Sequence, residues 1–518
     1  MIEQPIESLT VADFWTQLFD QVNNPALESE IDRLCHNFIS SQLISSKLNA
    51  EEVMQQFEFS PISDMGCEPQ DFIDELESHV LPHAINTGSP YFIGHMTALL
   101  PNFMRPLAKL VATLNQNQVK LETAKSMTFF EHQALAILHQ AFYQRGDKFY
   151  KALQSQPHTA LGVMTSGGTL ANATALQCAR NEALSPFGDV EQEGLLQVMI
   201  NSGYQRSVVI CSSLSHYSIK KTLGTLGLGR NNLLQVKVDQ EQRMDLQALQ
   251  ETIAQCRANN WQIIAIVAVA GTTECGSFDD IEAIAGIAAS HDIHLHVDAA
   301  WGGAMIFSER HAGLLRGIEQ ADSITIDAHK QLYTPIGSGI ALFKNPELIQ
   351  HISTTANYII RKGSQDLGRH SMEGSRPAMV IYLQATLQLL GRQGLGALLD
   401  KNVDVCRTMA EYIAASNDFE LLTQPQSNIF LYRYLPPLLR GKNNYTDIAS
   451  QHIDDLNIKL QEIQKRRGRS LVSRTQLMLE DGISVVGLRV VIANPTTHFK
   501  HCLQVLNEQR EIARELLS

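Results

Sequence analysis

Residues 322–339 read DSITIDAHKQLYTPIGSG, and this stretch decides the fold. Ile324 and Ile326 alternate with Thr325 and Asp327, the period of a short strand. At His329 and Lys330 the strand gives way to a turn built on Pro335, Gly337 and Gly339. A lysine therefore stands at a strand end, where open α/β sheets bind their ligands. Withdrawn from water there, its amine can lose a proton and form a Schiff base with an aldehyde. An isolated strand followed by lysine is more often an ordinary surface feature, so the reading depends on what else reaches the same edge.

Working outward, HLHVDAAWGG over 294–303 is a second strand, ending on Asp298 and followed by small residues. A carboxylate at that place can keep a pyridine nitrogen protonated, and pyridoxal phosphate sites pair such an acid with a Schiff-base lysine. Ala300 is small enough to lie flat against a ring. Further upstream, LGVMTSGGTLAN over 161–172 passes from an apolar strand through a glycine pair into an alanine-rich helix. Free amides and the positive end of the helix dipole make such a terminus an anion site. SVVICSS over 207–213 is a buried-looking strand that leads to His216, and IIAIVAVA over 263–270 is an uninterrupted run that delivers Gly271, Thr272 and Thr273 to the same edge.

In this order, TSGGTLAN, HVDAAWGG and DAHK resemble the group II amino-acid decarboxylases among the fold-type I pyridoxal-phosphate enzymes. The resemblance implies an α/β protein with the fold-type I transferase fold. Its parts would be a helical N-terminal segment (1–100), a large cofactor domain with a mostly parallel sheet (101–395) and a small α+β C-terminal domain (396–518). It implies pyridoxal 5′-phosphate as cofactor, with Gly168 and Thr169 at the phosphate, His216 stacked on the ring and Lys330 as the Schiff-base residue. Thr272, Asp298, Ala300 and His329 complete the expected cofactor contacts. Phe92 is expected in the substrate pocket; His95 is either a substrate contact or a hydrogen-bonded structural residue. Tyr358 matches the family's mobile-loop tyrosine and is the nominee for protonating the substrate's Cα, with a packing role as the alternative. Arg376 is expected to bind a substrate carboxylate, with Arg369 in reserve. A homodimer is implied, with the N-terminal arm clasping the partner.

An arginine beside the ring suits a substrate with a second carboxylate. SPYFIGHM, TSGGTLAN, IDAHKQLYTPIGSG and GRHSMEGSRP look like the aspartate 1-decarboxylases, relatives of the glutamate decarboxylases that make β-alanine for pantothenate synthesis. Glutamate decarboxylation to γ-aminobutyrate, or action on another amino acid, stays open. A reading from another class, a catalytically idle binding protein on the same fold, is opposed by the intact Lys330, Asp298 and His216. A desulfurase would need a mobile-loop cysteine, and residues 350–380 contain none.

Composition excludes other classes. A net charge of −13 leaves no broad surface for nucleic acid, and the basic cluster at 465–469 reads as a solvated loop. The eight cysteines are scattered without a CxxC, which predicts a reducing, cytoplasmic setting without structural zinc. The first residues carry no signal-peptide pattern, and no apolar run is long enough to span a bilayer. Gly224, Gly227 and Gly229 lack the strand-to-helix setting of a dinucleotide fingerprint.

Overall fold

The computed structural model describes residues 24–57, 59, 61–62, 66–153, 159–354, 364–439, 447–478 and 483–518. Its larger sheet has seven strands: β1 (Gly162–Thr165), β2 (Arg206–Ser212), β3 (Leu233–Val236), β4 (Trp261–Val269), β5 (His294–Asp298), β6 (Ser323–Asp327) and β7 (Gly339–Phe343). They lie in the order β1-β7-β6-β5-β4-β2-β3. β7 runs antiparallel to both neighbours; the other pairs are parallel. This is the mostly parallel fold-type I architecture that the sequence predicts.

Helices cover both faces, which is why β4 reads as a continuous apolar run. Ile266 and Ala268 join the core beneath the helices Ser126–Tyr143, Leu246–Ala258 and Ile281–Ser290. Their neighbours Ala265 and Val267 face the opposite core with Leu176 and Ala179 of the helix Gly168–Leu184. The alternation is that of side chains along a strand.

A second, antiparallel sheet joins β8 (Phe419–Leu421), β9 (Ile429–Tyr434), β10 (Ser473–Met478) and β11 (Ser484–Val491) in the order β10-β11-β9-β8. The helices Gly391–Ala415, Asp447–Arg467 and Phe499–Leu517 accompany it. The N-terminal segment contributes Pro25–Ser40, Ala50–Met54 and Pro69–Glu75 as helices; its first 23 residues lie outside the described residues. The end of that segment is sewn into the C-terminal sheet. Ile93 N–H donates to Leu471 O at 3.0 Å, Leu471 N–H to Tyr91 O at 3.1 Å, and Val491 N–H to Ile93 O at 2.7 Å. Among the described residues, no helix is long and apolar enough to cross a membrane.

Candidate active site

The ends of β2, β4, β5 and β6 and the turn after β1 open on one cleft of about 610 Å3. Gly168, Thr169 and His216 line it from one side, and Asp298, Ala300, His329 and Lys330 from the other strand ends. Most of the cofactor contacts expected from the sequence are therefore neighbours in space.

The turn after β1 is shaped for close approach. The helix Gly168–Leu184 starts at Gly167 without a side-chain cap, so its first amides are left for a ligand. A Cβ on Gly168 would sit 2.6 Å from Asp327 Oδ2, so a larger residue there must displace that carboxylate. At β5, Asp298 is held by two donors. Asn172 Nδ2 gives a hydrogen bond of 2.9 Å to Oδ2, and the Ala300 N–H one of 3.2 Å to Oδ1. Lys330 Nζ lies 3.2 Å from Asp327 Oδ2. His329 Nδ1 donates to Ser338 O at 3.0 Å, which fixes its ring.

His216 caps the following helix, Tyr217–Thr225, and its Nδ1 accepts from the Ser218 N–H at 3.3 Å. Burial pushes the His216 pKa down; Lys330 adds to this, while Asp298 and Asp327 oppose it. The ring is therefore neutral, with its proton on Nε2.

The residues present fit pyridoxal phosphate. Uncapped amides suit a dianion, a buried carboxylate suits a pyridinium nitrogen, and an amine stands in the same cleft. Two buried oxygens of cleft residues, Asp327 Oδ1 and Thr222 Oγ1, have no partner among the described residues and are available to a polar ligand.

Other expected residues are placed elsewhere. Thr272 turns its hydroxyl inward to Ser277 Oγ at 2.9 Å, and its neighbours Gly271 and Thr273 face the cleft instead. Phe92 is buried and forms a β-bridge with Leu471 rather than lining the cleft. His95 is outside the lining but feels the site: partial desolvation, then the positive charges of Arg489 and Lys330, hold its pKa below the usual imidazole value. Arg376 is committed to Glu131 through both terminal nitrogens, with Nη1 at 2.8 Å from Oε2, and both side chains are buried. Within this chain it does not line the cleft; a buried guanidinium needs a carboxylate, and Glu131 supplies it. Arg369 is also buried and donates to Ser364 O at 3.0 Å. Tyr358 lies outside the described residues.

Several groups escaped the sequence reading. Asn172 sits one helical turn after Gly168 and reaches Asp298. Asp327 precedes Lys330 by one turn and meets its amine. Arg489, the one cation in the apolar run VVGLRVVI of β11, donates to the carbonyls of cleft-lining Thr273 at 2.7 Å and of Gly94 at 3.2 Å. Its Nε has no partner among the described residues. A charged residue inside a buried strand was the available signal, because such a charge is retained only where something pairs with it.

Comparison with known proteins agrees with this geometry. Residues 60–435 match the model of the pyridoxal-dependent decarboxylase conserved domain. The aspartate 1-decarboxylase of Aliivibrio fischeri is 39% identical over 497 residues, covering 94% of this chain and 91% of that protein. The L-2,4-diaminobutyrate decarboxylase of Rhizobium meliloti is 27% identical, covering 89% of this chain and 85% of that one. A crystal structure of mouse CSAD superposes with a TM-score of 0.83 at 24% identity, over 94% of this chain and 98% of the other.

Proposed function

The chain belongs to the pyridoxal-dependent decarboxylases, and from that premise we propose that it removes the α-carboxylate of L-aspartate to give β-alanine and carbon dioxide. The observation that carries the substrate reading is Arg489, a buried cation bonded to a cleft-lining carbonyl and hydrogen-bonded to no carboxylate among the described residues. A second substrate carboxylate would complete its hydrogen bonding. The likeness to an aspartate 1-decarboxylase supports the same choice, and β-alanine would then serve pantothenate synthesis.

Gly168 and Thr169 would hold the phosphate, Lys330 the aldehyde carbon and Asp298 the ring nitrogen. When bound, pyridoxal phosphate supplies an electron sink for the bond that loses carbon dioxide. The neutral His216 offers an Nε2–H to a ligand oxygen without adding charge. Asp327 receives the Lys330 ammonium whenever that amine is released. Tyr358 stands as the proposed donor of the proton to Cα. Exposed Phe129, Ile137 and Leu110 are the apolar surface we assign to the homodimer contact.

The test is to give the cofactor-loaded protein aspartate, glutamate and 2,4-diaminobutyrate separately and to identify the amine formed. β-Alanine from aspartate, in clear preference, is the expected result. γ-Aminobutyrate from glutamate would keep the chemistry and move the substrate. Turnover of diaminobutyrate alone would overturn the role given to Arg489.

A further inference from the structure

We propose that Glu182, His294, Ser323, His296 and Asn172 form a hydrogen-bond relay of fixed direction that orients Asn172 onto Asp298 and couples that carboxylate to the protein surface. The inference rests on Asp298 facing the cofactor ring, and it concerns positioning residues, none of which belongs to the reacting groups.

The direction follows link by link from the Asp298 end. Asn172 Nδ2 lies 2.9 Å from Asp298 Oδ2 and 3.2 Å from Ser218 Oγ, so the amide presents its NH2 to the carboxylate and its carbonyl the other way. That carbonyl oxygen lies 2.9 Å from His296 Nε2, which must therefore carry a proton. His296 is fully buried, and burial holds its pKa down at about 4, so the ring is neutral and its Nδ1 is an acceptor. Ser323 Oγ, 2.9 Å from Nδ1, supplies the proton for that bond. Having donated, the hydroxyl accepts from His294 Nε2 at 2.8 Å. His294 Nδ1 then faces Glu182 Oε2 at 3.4 Å, at the surface. Only an imidazolium can donate at both nitrogens, so the whole chain is satisfied when His294 is charged and Glu182 is ionised. The Glu182 pKa is held below the usual value first by its hydrogen bond to His294.

A His294 ring with a single proton breaks the relay either along its whole length or at its Glu182 end. If the remaining proton stays on Nδ1 for Glu182, Nε2 becomes an acceptor and draws the Ser323 hydroxyl proton to itself. His296 must then move its proton to Nδ1, and its bare Nε2 faces the Asn172 carbonyl oxygen. The amide either loses that partner or flips and sets its oxygen against Asp298. If the proton stays on Nε2 instead, the bare Nδ1 opposes the Glu182 carboxylate. Either outcome weakens the coupling. Among the described residues, His351 acts on Glu182 from the turn Leu348–Ile352, Asp322 is occupied with the Leu295 N–H at 2.8 Å, and His296 is neutral. The relay runs the length of β5, from its first residue to Asp298 at its last.

The test uses the protein loaded with pyridoxal phosphate, with nitrogen NMR on labelled histidines and the visible band of the cofactor followed against pH. His296 is expected to be protonated on Nε2 and bare on Nδ1 at neutral pH. Glu182→Gln removes the carboxylate that His294 Nδ1 faces and should move the pH midpoint of the visible band to lower pH. In a Ser323→Ala background, Glu182→Gln should leave that midpoint where it is, and Ser323→Thr, which restores the hydroxyl, should restore the shift. A proton found on His296 Nδ1, or an equal band shift with and without Ser323→Ala, overturns the relay. Absence of any visible band in the unaltered protein overturns the cofactor reading instead, and the histidine spectra still decide the relay.

Discussion

At the scale of single residues, two buried arginines separate a structural from a recognition role. Arg376 forms a bidentate pair with Glu131 in the interior, and both side chains are buried. Removing one partner of such a pair strands the other charge, which costs about 3–5 kcal/mol. Arg376→Ala is expected to lower the urea unfolding midpoint accordingly, and the folded fraction should keep its KM. Arg489 instead spends its donors on two backbone carbonyls and, among the described residues, hydrogen-bonds no carboxylate. Arg489→Lys retains the charge but loses the planar fork, and hydrogen bonds to charged groups contribute about 1.5–3 kcal/mol each. Steady-state kinetics with aspartate should show KM raised roughly tenfold to a hundredfold. If KM rises in Arg376→Ala and holds in Arg489→Lys, the two roles are exchanged.

At the scale of elements, the turn proposed to hold the phosphate depends on a strand that the sequence conceals. Gly339 opens β7, and a Cβ there would lie 2.4–2.7 Å from the backbone of Gly167. Gly339→Ala must push the turn after β1 away from its position, because the obstacle is backbone. Such overpacking costs typically about 1–3 kcal/mol. Equilibrium dialysis should find cofactor affinity weakened at least about tenfold for a turn displaced by a clash of that size. Unchanged affinity would show that the turn tolerates displacement. This dependence also marks where the sequence could be read. β5, β6 and the turn after β1 announce themselves by local pattern: alternation or an apolar run, then small residues. β7 follows a Pro/Gly turn so closely that the punctuation hides it, and its antiparallel pairing is a long-range fact. The loop carrying Thr272 and Thr273 was legible as a loop, but which threonine faces the cleft is decided by Ser277, which captures the first. Arg376 could be placed before its helix but not beside Glu131, which lies far away along the chain.

At the scale of the whole molecule, burial of ionisable groups decides how the protein answers to acid. His139 and His296 are both fully buried, and burial pushes each pKa down to about 4. Below the ordinary histidine value near 6.5 the unfolded chain takes up these protons and the native protein does not, so the stability they confer is lost as pH falls towards 4. Each histidine accounts for about 3 kcal/mol over that window. Asp279 acts the other way: burial raises its pKa to about 6, so the native protein binds its proton first and gains stability as pH falls from 6 towards 3.8. Its share is also about 3 kcal/mol. Two opposed by one leaves a net loss of about 3 kcal/mol on acidification; the lowered pKa values of His95 and His216 add to the same side, and the raised ones of Glu274, Asp454 and Glu508 to the other. Urea titrations in buffers from neutral to acid, at constant cofactor concentration, should therefore show the midpoint falling as pH drops below about 6.5. A midpoint that holds or rises would mean that the carboxylate outweighs the buried imidazoles.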